Sequence, residues 1–144
     1  MVQKMDYIWF DGKLVPWAEA NVHVLTHALH YGGGVFEGIR SYECADGSSA
    51  VFRLEEHSKR LVESGKILGL DIGLAPEQVT EAIIETLKAN KLKTGYIRPI
   101  SFIGAGAMGV HPGNNPIHTA IAVWPWGAYL GEEGLEKGIR VKTS

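Results

Sequence analysis

Two runs, Tyr96 to Ile103 and Ile117 to Trp124, are the most apolar in the chain; both are short, bounded by Gly and Pro, and rich in β-branched and aromatic residues. Runs of that kind predict buried strands, and these two are expected at the centre of a sheet. Helices are needed to cover it. From Leu54 the positions Leu54, Ser58, Leu61, Val62, Gly65 and Leu68 recur at three- and four-residue steps, which predicts an amphipathic helix to about Ile67, ahead of Gly69. Pro76 and Glu77 open a second helix with Val79, Ile83 and Leu87 as its buried stripe, ending near Asn90.

The remaining segments supply outer strands and turns. Tyr7 to Phe10 and Lys13 to Val15 flank Asp11-Gly12, the dipeptide that suits a two-residue hairpin turn, and Pro16 stops the second strand. Trp17 to Asn21 reads as a turn or single helical turn. A second hairpin is expected around Ala45 to Ser49, with Ala50 to Arg53 returning. The order of strands, two helices, then strands predicts an α+β domain, with the helices packed on a mixed or antiparallel sheet. Glu132 to Gly138 reads as a linker and the terminal Gly-Ile-Arg-Val-Lys-Thr-Ser as the start of a new strand. The expected division is therefore one domain over residues 1–131, with 132–144 leading into a second.

Charge narrows the function classes. A formal net charge of -2 and no long Lys/Arg run argue against nucleic acid or an anionic membrane as the main partner. Cys44 is the only cysteine and the amino terminus has no apolar stretch, so a reducing, cytoplasmic setting is expected.

Chemistry points to His27–Tyr42. Gly32, Gly33 and Gly34 allow positive φ and close approach of a ligand or second chain, and strand alternation over Val35 to Tyr42 sets Phe36 and Arg40 on one face, with Val35, Glu37 and Ile39 on the other. The plain alternative is a glycine-rich turn entering a strand with a surface arginine. His23 and His27 have the i,i+4 spacing of metal ligands, but no Glu follows the first, and hydrogen-bonded histidines are expected instead. Gly104 to Pro116 is a long loop of small residues, and such loops are usually functional or disordered; its glycines do not match a dinucleotide fingerprint. Trp124, Trp126 and Tyr129 gather past a buried strand, where they could wall a pocket or simply pack. Arg60 lies off the apolar stripe of its helix, and by itself reads as a solvated arginine.

Taken together, Tyr7-Ile-Trp-Phe-Asp-Gly, His27-Ala-Leu-His-Tyr-Gly, Phe36-Glu-Gly-Ile-Arg, His57 to Leu61, Tyr96-Ile-Arg-Pro and Pro125-Trp-Gly-Ala-Tyr-Leu resemble the bacterial branched-chain amino acid aminotransferases. These are class-IV, fold-type IV enzymes dependent on pyridoxal 5'-phosphate. The resemblance spans essentially the whole chain and implies the small amino-terminal domain of that fold. It implies that Arg60 holds the cofactor phosphate, where a guanidinium can pair two oxygens at once. It places Tyr96 near the substrate α-carboxylate and Arg98 and Arg40 at the distal carboxylate of glutamate or 2-oxoglutarate. Phe36, Tyr31, Trp126 and Tyr129 would form the apolar pocket. A homo-oligomer is implied, with Tyr31 and the Gly104 to Val110 loop reaching the neighbouring subunit's site.

Two departures stand out. Gly33 and Gly34 occupy positions where relatives often carry other residues. The lysine that such an enzyme attaches to its cofactor is expected beyond Ser144, because Lys66, Lys88, Lys91, Lys93, Lys137 and Lys142 match no such motif. The resemblance thus implies transamination of leucine, isoleucine or valine with 2-oxoglutarate, with half the site on this chain. The alternatives are a D-amino acid transaminase or aminodeoxychorismate lyase of the same fold, or a non-catalytic ligand-binding domain. Arg98-Pro99-Ile100 lacks the histidine two residues after the arginine that the D-specific relatives carry.

Overall fold

The computed structural model describes residues 2–127 and 131–142. Along the chain lie β1 (Tyr7–Phe10), β2 (Lys13–Pro16), a 3-10 turn (Trp17–Glu19), α1 (His27–Tyr31), β3 (Gly34–Phe36), β4 (Ile39–Glu43) and β5 (Ser49–Val51). They are followed by α2 (Leu54–Ile67), α3 (Pro76–Ala89), β6 (Gly95–Ile103), β7 (Ile117–Trp124) and α4 (Gly131–Lys137). The strands form one sheet in the order β2-β1-β7-β6-β4-β5, with β3 also on β6, and every pairing is antiparallel. The two apolar runs are its centre, as their composition requires. No helix among the described residues is long and apolar enough to cross a membrane.

Period-two alternation decides what each face does. On β6 and β7, Ile97, Pro99, Ser101, Thr119, Ile121 and Val123 turn to one face and are buried there. Helices α2 and α3 cover that face with Leu61, Val62, Val79, Ala82, Ile83 and Leu87, closing one core with Val35, Ile39 and Trp9. Helix α3 begins as Pro76 dictates: Gln78 reaches back to accept the Ala75 N–H at 2.8 Å, half of a capping box, since Ala75 has no side-chain acceptor of its own. At its other end buried Asn90 accepts the N–H groups of Asp6 and Tyr7 at 2.9 Å and donates to the Tyr7 carbonyl, tying the helix to β1.

Several expectations change. The strand read from Val35 to Tyr42 is two strands. Both keep one register on β6, Phe36 opposite Ile100 and Ile39 opposite Ile97, and between them Glu37 donates its N–H to the Pro99 carbonyl at 3.0 Å. Proline has no N–H to return, so the ladder breaks there without slipping. Of the three consecutive glycines only Gly32 has positive φ (72°), ending α1 in the left-handed region. Gly33 and Gly34 instead lie so close to Ile103, Ser101 and Phe102 that a Cβ would press on them, so it is the chain's own strand that they admit. The stretch Glu132 to Gly138, expected as a linker, lies largely within α4, and the described residues 138–142 carry no strand.

Candidate functional site

The face of the sheet turned away from α2 and α3 carries side chains of another kind. Register sets Arg40 opposite Tyr96 and Tyr96 opposite Trp124, with Arg98 one step along opposite Ala122. Arg98 lies over aromatics: its Cζ is 4.6 Å from the centre of the Phe36 ring and 5.2 Å from that of Tyr96, and Nη2 donates to the Tyr96 hydroxyl at 2.9 Å. Such stacking orients a guanidinium without neutralising it. Tyr96 in turn meets Trp124 and Trp126, at 5.1 and 4.6 Å between ring centres. Gly38 makes this packing possible, because a Cβ there would collide with the Tyr96 hydroxyl.

Arg40 shares that face, as alternation predicts, but it is already engaged. Its Nη2 donates to the Trp126 carbonyl at 2.8 Å, and both Nη atoms lie 3.3 Å from the Gly127 carbonyl, so it pins the segment after β7 over the face. Neither Arg40 nor Arg98 has a carboxylate partner among the described residues, and the buried Nε of each makes no hydrogen bond. Two positive groups thus stand on an aromatic floor that offers them no acid.

Arg60 lies on the other side of the β3–β4 run. Glu37 points toward the helices, its side chain only 5% exposed, and takes Arg60 Nε on Oε1 and Nη2 on Oε2, both at 2.6 Å. His57 Nδ1 donates to Oε2 at 2.8 Å. Burial pushes the Glu37 carboxyl up, but the hydrogen bonds and charges of Arg60 and His57 outweigh it and hold the group below its ordinary value. The carboxylate also holds Arg60 more firmly protonated. A shallow hollow of about 290 Å³ beside the guanidinium is lined by Arg53, Glu56, His57 and Arg60, with Glu56 matched by Arg53 at 2.9 Å.

Tyr31 and Val110 form a separate group. Tyr31 donates its hydroxyl to the Met108 carbonyl at 3.0 Å, and His27 Nε2 donates to that of Gly109 at 2.9 Å, so α1 anchors the glycine loop. Asn115 knits the loop from within through both the N–H and the carbonyl of Ala107. Val110 at its tip is 82% exposed. The contacts among the described residues do not join this group to Phe36 and Arg98. His23 turns instead to the Leu25 N–H, and among the described residues no cluster of three or more acidic, His or Cys groups could hold a metal. Tyr129 lies outside the described residues.

Glu37 and Gly38 belong to this geometry although the sequence reading gave them no role, and Trp124 stands in the wall that the aromatic cluster suggested. A signal for Glu37 was present: alternation sets it among Val35 and Ile39, and a carboxylate on an apolar face needs a cationic partner.

The family model for amino-transferase class IV matches residues 34–144. The chain belongs to the class-IV aminotransferases. It is 45% identical over all 144 residues to the branched-chain-amino-acid aminotransferase of Pseudomonas aeruginosa, of which it covers 47%. Its fold superposes on the crystal structure of the Escherichia coli branched-chain amino acid aminotransferase with a TM-score of 0.89 at 46% identity, over 94% of this chain and 44% of that one. The T.th. branched-chain amino acid aminotransferase complexed with N-(5'-phosphopyridoxyl)-L-glutamate matches with a TM-score of 0.82 at 51% identity, over 88% of this chain and 42% of that one. This class-IV chain therefore has the fold of the small, antiparallel amino-terminal region of such enzymes, and spans about half the length of the curated relatives it matches.

Proposed function

We propose that the chain is the amino-terminal part of a pyridoxal 5'-phosphate-dependent aminotransferase that moves the amino group of leucine, isoleucine or valine to 2-oxoglutarate. The observation that carries this is Arg98: a guanidinium stacked on Phe36 and Tyr96, without a carboxylate partner among the described residues, on a face walled by Trp124 and Trp126. Such a face can meet two unlike substrates in turn. A carboxylate finds a charge-assisted donor in Arg98 and the Tyr96 hydroxyl beside it, and an aliphatic side chain is stabilised against the rings by about 0.8 kcal/mol per methylene buried. Arg40 holds Trp126 over the pocket. Phe36, 60% exposed on this chain, would be covered once substrate and the remainder of the enzyme are in place.

The residues present fit the cofactor's phosphate. Arg60 is held by a buried carboxylate through Nε and Nη2, and Nη1 makes no hydrogen bond among the described residues. When bound, the cofactor supplies an electron sink that lets the substrate lose its Cα proton. The lysine that takes this proton is proposed to lie past Ser144, in a second domain to which residues 132–144 lead. Assembly into a homo-oligomer is proposed through the group of Val24, Leu29, Tyr31 and Val110, apolar side chains left exposed beside the glycine loop. A cytoplasmic setting suits the lone Cys44.

The test is made on the full-length protein. L-Leucine with 2-oxoglutarate should give turnover where D-alanine does not, and Arg60→Ala should weaken pyridoxal 5'-phosphate in equilibrium dialysis by roughly 1.5–3 kcal/mol, one charge-assisted contact. Turnover of D-alanine in preference to leucine would overturn the substrate assignment; undiminished cofactor affinity would overturn the role of Arg60.

A further inference from the structure

The geometry points to Glu37 as the positioning residue that fixes Arg60 for the cofactor phosphate, an inference that rests on the reading of Arg60 as the phosphate anchor. The Arg60 side chain is 63% exposed, and an exposed arginine samples many rotamers, each of which aims the charge elsewhere. Glu37 removes that freedom by gripping the guanidinium along its Nε–Nη2 edge, which leaves Nη1 to face an incoming anion. The grip is itself anchored: the Glu37 backbone is hydrogen-bonded to Pro99 in the sheet, and His57 occupies the carboxylate from a second direction.

The tripeptide Phe36-Glu37-Gly38 then serves both ends of the site. Phe36 lies under Arg98, Gly38 makes room for the Tyr96 hydroxyl, and Glu37 between them reaches through to the opposite face to hold Arg60. Registry between phosphate anchor and substrate wall is thus set within one tripeptide, at the point where Pro99 interrupts the ladder.

A carboxylate beside the anchor also cancels part of its charge, and this makes the inference sharp. If net charge governed phosphate binding, removing the Glu37 charge would tighten it. If orientation governs, removal loosens it. Full-length wild type, Glu37→Gln, Arg60→Ala and the double variant are titrated with pyridoxal 5'-phosphate and, in parallel, with pyridoxal, which lacks the phosphate. Glu37→Gln is expected to weaken the phosphorylated ligand roughly tenfold, to leave pyridoxal unchanged, and to add nothing in the Arg60→Ala background. Unchanged or tighter phosphate binding, an equal loss for pyridoxal, or an undiminished effect in the double variant would each overturn the role of Glu37 while leaving that of Arg60 standing. If Arg60→Ala has no effect, the phosphate anchor falls and this inference with it. Should Glu37→Gln fail to fold, Glu37→Asp carries the same test, since it keeps the charge and draws the grip back by one methylene.

Discussion

The two faces of the run formed by β3 and β4 treat charge in opposite ways. Toward the helices the strand presents Val35, Glu37, Ile39 and Ser41, and the one ionised group there is held by Arg60 and His57. Toward the open side it presents Phe36, Arg40 and Tyr42, and with Arg98 on β6 two guanidiniums rest on rings and carbonyls with no acid among the described residues. The buried charge must be matched because an unmatched one would destabilise the fold. The open-face charges carry no such match among the described residues, and the proposed function supplies one in a substrate carboxylate. One face holds the domain together, and the other is the one proposed to bind.

This contrast breaks most visibly in the core. Ile121, fully buried at the centre of the helix-covered face, should cost roughly 2–5 kcal/mol when replaced by Ala, through lost burial and the cavity left behind. Phe36→Ala on the other face should cost under about 1 kcal/mol, because the ring is already largely in solvent. Urea unfolding of the two variants decides it. Equal losses would mean that the aromatic face is a second core.

Arg98 sharpens the same contrast from the binding side. Lysine there keeps the charge but loses the fork and the delocalised cation over Phe36 and Tyr96. Arg98→Lys should raise the KM for 2-oxoglutarate about tenfold, the lower end of a charge-assisted contact, with an unchanged unfolding midpoint. A shift in stability without a shift in KM would make Arg98 a structural residue.

How far the sequence carries this picture depends on whether a feature is local. The hairpin at Asp11-Gly12, both main helices and the central strands are written in neighbouring residues, and alternation set Phe36 and Arg40 on one face before any pairing was known. The break at Glu37 was not readable in the same way, since it comes from the missing N–H of Pro99, a residue distant in sequence that only the register brings opposite. The same holds for the clasp on Arg60: its helix shows an arginine off the apolar stripe, and its partner lies on a strand whose position against that helix no local pattern reveals. The motifs singled out the candidate residues, but they could not show that Arg40 is taken up by the Trp126 and Gly127 carbonyls while Arg98 is not, because that depends on where the chain passes after β7.

The smallest expected effect concerns pH, and compares two carboxylates of like chemistry and unlike burial. Glu37, set below its ordinary value by Arg60 and His57, contributes stability that is fully present above the unfolded-state value, about pH 4.3, and is lost as pH falls through its folded value. The stability gap between wild type and Glu37→Gln should therefore hold from neutrality down to about pH 4.3 and close below it. Glu56 is likewise lowered, by its hydrogen bond from Arg53, but that pair is 55% and 62% exposed, and water screens most of what it gains. Glu56→Gln should track the wild type across the same range of urea midpoints. If both gaps stay constant with pH, the Glu37 clasp adds no proton-linked stability to the fold. If both close equally, burial is not what separates the two pairs. Closure for Glu37 alone would show that the face covered by helices is where this protein's charges are coupled to its stability.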